Sequence, residues 1–298
     1  MSYSNQSTQL TLFDIPVTEP IVNVASVPQR SPFRYPGGKT WLVPHTRRWL
    51  FNLHYRPQVL IEPFAGGAII GLTAAFEQLA DRVILVERDD QVAAVWNTIL
   101  SEDNEWLAQR ILSFELTREN VLVELAKRTS STRQLAFQAI LKNRTFHGGI
   151  MAPGSSLIKH GENGKGLASR WYPGTLARRI RSIAHVRRRI SFIQGDGLDV
   201  IRKHAERRHA VFFIDPPYTA GGKKAGTRLY VHHELSHDEL FSAVEQVMGD
   251  VLMTYDYAEE VLRLAGKHGF DTRTVSMKNT HHARMTELLI GRELGWVD

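Results

Sequence analysis

The chain contains no cysteine. That excludes a disulfide framework, thiolate zinc sites and a cysteine nucleophile. No stretch approaches roughly 18 consecutive apolar residues, so no transmembrane helix is expected. The N-terminus lacks a basic segment followed by an apolar core, so it does not read as a signal peptide. Internal repeats and low-complexity tracts are also missing. These absences lead to the expectation of a cytoplasmic protein. What is present is a chain of 298 residues, 43% hydrophobic, enough for a catalytic domain and one smaller module.

Charge is unevenly placed. The formal net charge is +6. Residues 118–189 hold fifteen Lys/Arg against three Glu and no Asp, an excess of +12, which leaves −6 for the rest. A localised basic module beside a mildly acidic one suggests a polyanionic partner.

Residues 1–30 are polar and without sustained periodicity, and read as a flexible tail. From Val59 the pattern becomes α/β. Val59–Ile61 and Val83–Val86 read as strands, each followed by a helical pattern. The strands are apolar throughout, as in a parallel sheet covered on both faces. Further strands are expected at Ile190–Ile193, Ala210–Ile214, Val251–Thr254, Arg273–Val275 and Leu288–Ile290. Between them, Leu176, Ile180, Ile183, Val186 and Ile190 recur at helical spacing, with arginines filling the gaps. The expected organisation is a tail (1–30), a first catalytic part (31–100), a basic, mainly helical insert (101–190) and a second catalytic part (191–298).

The strongest motif is Asp215-Pro216-Pro217-Tyr218, directly after the apolar run Val211–Ile214. An exocyclic amino group on a base is a poor nucleophile, because its lone pair is delocalised into the ring. Accepting both of its N–H bonds favours a tetrahedral nitrogen and frees the lone pair. An ionised Asp215 is purely an acceptor. A backbone carbonyl held by two prolines can take the second bond. Tyr218 offers a ring face for a base flipped out of a duplex. Such a site works by positioning and electrostatics, without a covalent step.

A second motif, Glu62-Pro63-Phe64-Ala65-Gly66-Gly67-Ala68, ends the first strand. Glycines at a strand-to-helix turn allow a ligand to approach the backbone. Glu87 ends the next strand, 21 residues after Gly66, where a carboxylate can bind ribose hydroxyls. The glycines do not follow G-x-G-x-x-G, which disfavours a dinucleotide.

Two strings mislead. Gly38-Lys39-Thr40 invites a phosphate-loop reading, but that motif needs a glycine where Phe33 stands. His233-Glu234-Leu235-Ser236-His237 matches the H-E-x-x-H metalloprotease string. However, Ser236 and Glu239 form a capping box, so a helix should begin between the two histidines. No metal site is expected. Asn143-Arg144-Thr145-Phe146-His147-Gly148-Gly149 lies in the basic module and reads as a polar, glycine-rich loop suited to phosphate and groove contacts.

Arg34–Thr40, Glu62–Ala68 and Asp215–Tyr218, in this order, resemble the Dam-type (alpha-group) DNA adenine-N6 methyltransferases from about Pro32 to the end. The resemblance implies a methyltransferase (Rossmann-like) fold, a seven-strand mixed sheet with a helical target-recognition insert. It also implies S-adenosyl-L-methionine as cofactor and double-stranded DNA as substrate. Tyr35 and Lys39 would pack over the methionine end of the cofactor, and Phe64 through Gly67 would form its turn. Glu87 would take the ribose hydroxyls and Asp196 the cofactor's adenine amine. Asp215 would join cofactor and target. Asn143-Arg144 matches the family's Asn-Arg landmark. With His147, Arg178, Arg179 and Arg181 it forms the expected DNA-binding set.

There are departures. His147–Ala152 replaces the Tyr-Asn-Gly-Leu-x-Arg of members that read GATC, and Ala152 cannot replace the base-reading arginine. Gly197 stands where an aromatic often packs on the cofactor adenine. RNA, the cytosine exocyclic amine, or an inactive DNA-binding relative remain open as alternatives. In the tail, Gln9-Leu10-Thr11-Leu12-Phe13 resembles the peptide by which bacterial repair proteins bind the DNA sliding clamp.

Overall fold

The computed structural model describes residues 26–34, 38–161, 164–217, 235–278 and 284–297. The Gln9–Phe13 peptide, Tyr35, Tyr218, His233 and Glu234 lie outside these residues.

Seven strands form one sheet: β1 (Val59–Glu62), β2 (Arg82–Glu87), β3 (Ile190–Gln194), β4 (Ala210–Ile214), β5 (Asp250–Asp256), β6 (Asp271–Lys278) and β7 (Arg284–Gly291). Their order is β3-β2-β1-β4-β5-β7-β6, and β7 runs antiparallel to both neighbours. The other pairings are parallel. Every strand expected from an apolar run is present. The fold is the α/β, Rossmann-like mixed sheet.

The central strands β1 and β4 are buried along their whole length. Successive side chains alternate between faces. Leu60, Val211 and Phe213 join one core, and Ile61, Phe212 and Ile214 the other. Helices α1 (Val43–Asn52), α2 (Ile69–Glu77) and α3 (Asp90–Leu100) cover the first face. Helices α8 (Gly197–His204), α9 (His237–Glu245) and α10 (Glu259–Lys267) cover the second. Strand order therefore reverses between the parallel strands β1 and β4, the chain winding outward from them in opposite directions. That reversal opens a crevice at the strands' C-terminal ends, where ligands of such sheets bind.

The insert contributes α4 (Asn104–Ser113), α5 (Arg118–Ala126), α6 (Thr132–Thr145) and α7 (Pro173–Val186). Leu107, Ile111, Phe137, Ile140, Ile180 and Ile183 share one continuous core with Val83, Leu85 and Trp96. The apolar stripe of α7 is thus buried against the catalytic sheet's own helices.

The tail begins earlier in sequence than expected to pack. Val27 is buried, and Arg30 pairs with Glu77 at 2.9 Å, so residues 26–30 belong to the body. Helix α9 starts at His237, with Ser236 accepting from the Glu239 N–H at 3.3 Å, as the capping box requires. Among the described residues no helix is long and apolar enough to cross a membrane.

Candidate active site

Four acids stand at the C-terminal edge of neighbouring strands. Asp196 follows β3, Glu87 ends β2, Glu62 ends β1 and Asp215 follows β4. The β1–α2 turn is braced from three sides. The Ala65 N–H donates to the Val86 carbonyl, Trp96 Nε1 donates to the Gly66 carbonyl at 3.0 Å, and the Gly66 N–H donates to Glu87 Oε2 at 3.0 Å. Gly66 and Ala68 both take positive φ, 45° and 50°. The turn is tight enough to need glycine at the first and to strain the second.

Glu87 also accepts from the Arg88 and Asp89 N–H groups at 2.8 and 2.9 Å. An ionised carboxylate offers about four acceptor sites, so about one remains beyond these three bonds. Burial pushes the Glu87 pKa up, and the backbone donors oppose that rise. Asp196 caps α8 through the Leu198 N–H at 2.8 Å and keeps Oδ2 at 3.6 Å from Arg88. The Pro63 carbonyl, with the Phe64 ring beside it, explains the glycine at 197. A Cβ there would lie 3.0 Å from Phe64 Cε1 and collide with the Pro63 carbonyl. No aromatic could stand at that position, and Phe64 fills the neighbouring space.

Asp215 Oδ1 meets Lys39 Nζ at 3.2 Å and accepts from Thr254 Oγ1 at 2.9 Å. Lys39 is buried and also reaches Glu287 Oε2, at 3.5 Å. Glu62 is buried beside them and accepts from the Gly71 N–H at 2.7 Å. Burial, reinforced by the charge of Asp215, holds its carboxyl well above the ordinary range. Burial also pushes Glu287 up to about 7, with Lys39 opposing and Asp215 and Asp256 adding to the rise. Behind Asp215, the Tyr255 hydroxyl lies 3.0 Å from His237 Nδ1. So Lys39, expected over the cofactor, joins Asp215 directly. Thr254 and Glu287 are members that the motifs did not single out, and Glu62 opened the turn motif without being given a role. The available signal was an acid beside the apolar run Leu288–Ile290.

The basic set behaves differently, and here the expectation is corrected. Asn143 has no exposed surface. Its side chain accepts from the Arg34 N–H at 2.9 Å and donates to the Arg34 and Gly149 carbonyls at 2.9 and 2.8 Å. Gly149, at φ 76°, is required because a Cβ would strike the Arg34 carbonyl. Arg144 is buried and donates to the Pro32 carbonyl, and Arg179 donates to the Ser31 carbonyl at 2.9 Å. Burial and the nearby Arg179, Arg34 and Arg170 pull the Arg144 pKa down to about 9. These side chains hold the chain that leads into Lys39 and do not face a nucleic-acid surface. Arg181 forms a two-point ion pair with Glu105 at 2.6 and 2.9 Å. Of the expected contacts, His147 and Arg178 remain exposed.

No family model matches the chain, and no curated protein matches it. Solved structures similar to it include an rRNA methyltransferase from Streptomyces viridochromogenes. That match is 14% identical with a TM-score of 0.39, covering 87% of each chain. A precorrin-6y C5,15-methyltransferase from Geobacter metallireducens is 12% identical with a TM-score of 0.34, covering 83% of this chain and 85% of that one. A spermidine synthase from Thermotoga maritima is 12% identical with a TM-score of 0.38, covering 86% and 59%. Likeness this slight bears on neither activity nor substrate. The fold stands on its own strand order.

Proposed function

We propose that this chain is an S-adenosylmethionine-dependent methyltransferase acting on the N6 amino group of adenine in double-stranded DNA. The observation that carries the reading is Asp215. It sits at the switch point of the sheet, ahead of Pro216 and Pro217, with its Oδ1 gripped by a buried lysine and a threonine.

The residues at the edge suit the cofactor. Among the described residues they are carboxylates with one buried lysine, Lys39, and Arg88 at the rim. That set matches a ligand with hydroxyls, amines and a positive sulfur, and mismatches a pyrophosphate. The remaining acceptor site of Glu87 would take a ribose hydroxyl, and Asp196 at the rim would take an amine. The turn at Gly66 would lie against the ligand, with Lys39 and Tyr35 toward its methionine end. When bound, the cofactor supplies an activated methyl group.

The chain's own residues do the rest. Asp215 accepts one N–H of the target amine, and the carbonyl fixed by Pro216–Pro217 accepts the other. Lys39 and Thr254 hold the carboxylate from one oxygen, so its aim costs no reorganisation during the reaction. The exposed cations of the insert, Arg178 among them, supply charge for the phosphate backbone.

The test is tritium transfer from labelled S-adenosylmethionine to double-stranded DNA and, separately, to RNA, followed by nucleoside identification. Label in N6-methyladenine of DNA is expected. Label only in RNA, or at cytosine N4, would overturn the substrate assignment. No label in any acceptor would overturn the activity.

A further inference from the structure

Asp215, Lys39 and Glu287 form an unbroken line. Lys39 Nζ lies 3.2 Å from Asp215 and 3.5 Å from Glu287, and both Lys39 and Glu287 are buried. Among the described residues Glu287 Oε2 is buried without a hydrogen bond, since 3.5 Å from Lys39 is too long for a good one. A buried acid facing one ammonium, on a strand whose next three residues are apolar core, is costly and calls for a reason. The charged groups acting on it are Lys39, Asp215 and Asp256, the last its cross-strand partner on β5. Its partner on β6 is Val275.

We propose that Glu287 holds the proton that the target amine sheds on methylation, received from Asp215 by way of Lys39. The inference rests on methyl transfer to an amine at Asp215. When the nitrogen–methyl bond forms and the carbon–sulfur bond breaks, sulfur keeps the electron pair. The nitrogen is left with a positive charge and one proton in excess. Asp215 accepts that proton. Lys39 gives one proton to Glu287 and takes the one from Asp215, so its own charge is restored. The net change is one proton added to Glu287, returned to solvent at turnover. An acid titrating near neutrality suits this task, because it is ionised often enough to accept and releases readily. Glu287 is thus a positioning and proton-holding residue, one lysine away from the reacting atoms.

Two measurements test this. The first is the pH profile of single-turnover tritium transfer to unmethylated bacterial DNA. The parent should show an inflection near pH 7, with the rate rising toward higher pH. Glu287→Gln should lose the inflection and fall at least about tenfold at pH 8. Glu287→Asp should keep an inflection at a shifted pH, which separates proton holding from a folding defect. The second is infrared titration of protein carrying 13C-labelled glutamate, without substrate. A protonated-carboxyl band should disappear with a midpoint near pH 7 and be missing in Glu287→Gln. An unchanged rate profile in Glu287→Gln, or no titrating band in the parent, would overturn the inference. A titrating band in a parent that methylates nothing would overturn the proposed activity, and this inference with it.

Discussion

The strand edge and the helical insert carry opposite charge, and they use it in opposite ways. At the edge, Asp215 and Glu287 meet on Lys39, with Glu62 buried near Asp215, and burial raises two of the three acids against their own ionisation. In the insert, some cations turn inward. Buried Arg144 and half-buried Arg179 donate to the backbone carbonyls of Pro32 and Ser31 respectively, and Asn143 grips Arg34. Local net charge therefore does not measure charge available to a ligand. An excess of +12 includes arginines that act as mortar. The comparison also joins the two regions, because the segment the insert grips runs straight into Lys39.

The largest expected effect belongs to the edge. Asp215→Ala should reduce methyl transfer by at least about a thousandfold, roughly 4 kcal/mol of barrier, while the protein stays folded. A loss within about tenfold, read by single-turnover tritium transfer, would remove Asp215 from the chemistry. In the insert the same kind of truncation should act on the fold instead. Asn143→Ala deletes three buried hydrogen bonds to backbone and should destabilise by about 3 kcal/mol in urea unfolding. A variant with parent-like stability but weakened DNA binding would show that Asn143 faces the nucleic acid after all.

Glu287 sharpens the comparison through pH. Its folded pKa is raised to about 7, so the native state binds the proton more tightly than the unfolded chain does. The folded state is therefore penalised as pH rises from about 4.5 to about 7, and the penalty is complete above that. Glu287→Gln should flatten this fall and be more stable than the parent at pH 8, by roughly 2–3 kcal/mol. Parallel stability curves for the two proteins would mean the acid is not perturbed. The smallest effect is electrostatic. Replacing the exposed Arg178 and Arg188 with Gln should lower the slope of log affinity against log salt by about 2. Replacing Arg181, which is tied to Glu105, should change it little. An equal drop for Arg181 would mean that its ion pair opens on DNA.

How legible all this was depends on the distance over which each residue finds its partner. The central strands could be read because a buried parallel strand is apolar on both faces, and Val59–Ile61 or Ala210–Ile214 say so locally. Glu87 and Asp215 could be placed at the sheet's edge because strand ends converge in any such sheet, while Asp196 was singled out only through the family resemblance. Glu287 could not, since only the β5–β7 pairing carries it to Lys39. Asn143-Arg144 was visible as a motif, but its role was misread: the Arg34 backbone it holds is 109 residues away in sequence. The departure at Gly197 is intelligible only with the Pro63 carbonyl and Phe64 ring packed against it.

The central claim is that the Asp215 edge methylates adenine in DNA. It is tested most directly by nucleoside mass spectrometry of DNA from cells lacking their own adenine methylation, expressing either the parent protein or Asp215→Ala. The account predicts N6-methyldeoxyadenosine with the parent and none above background with Asp215→Ala. No N6-methyldeoxyadenosine with a folded, expressed parent, or equal amounts from both proteins, would contradict it.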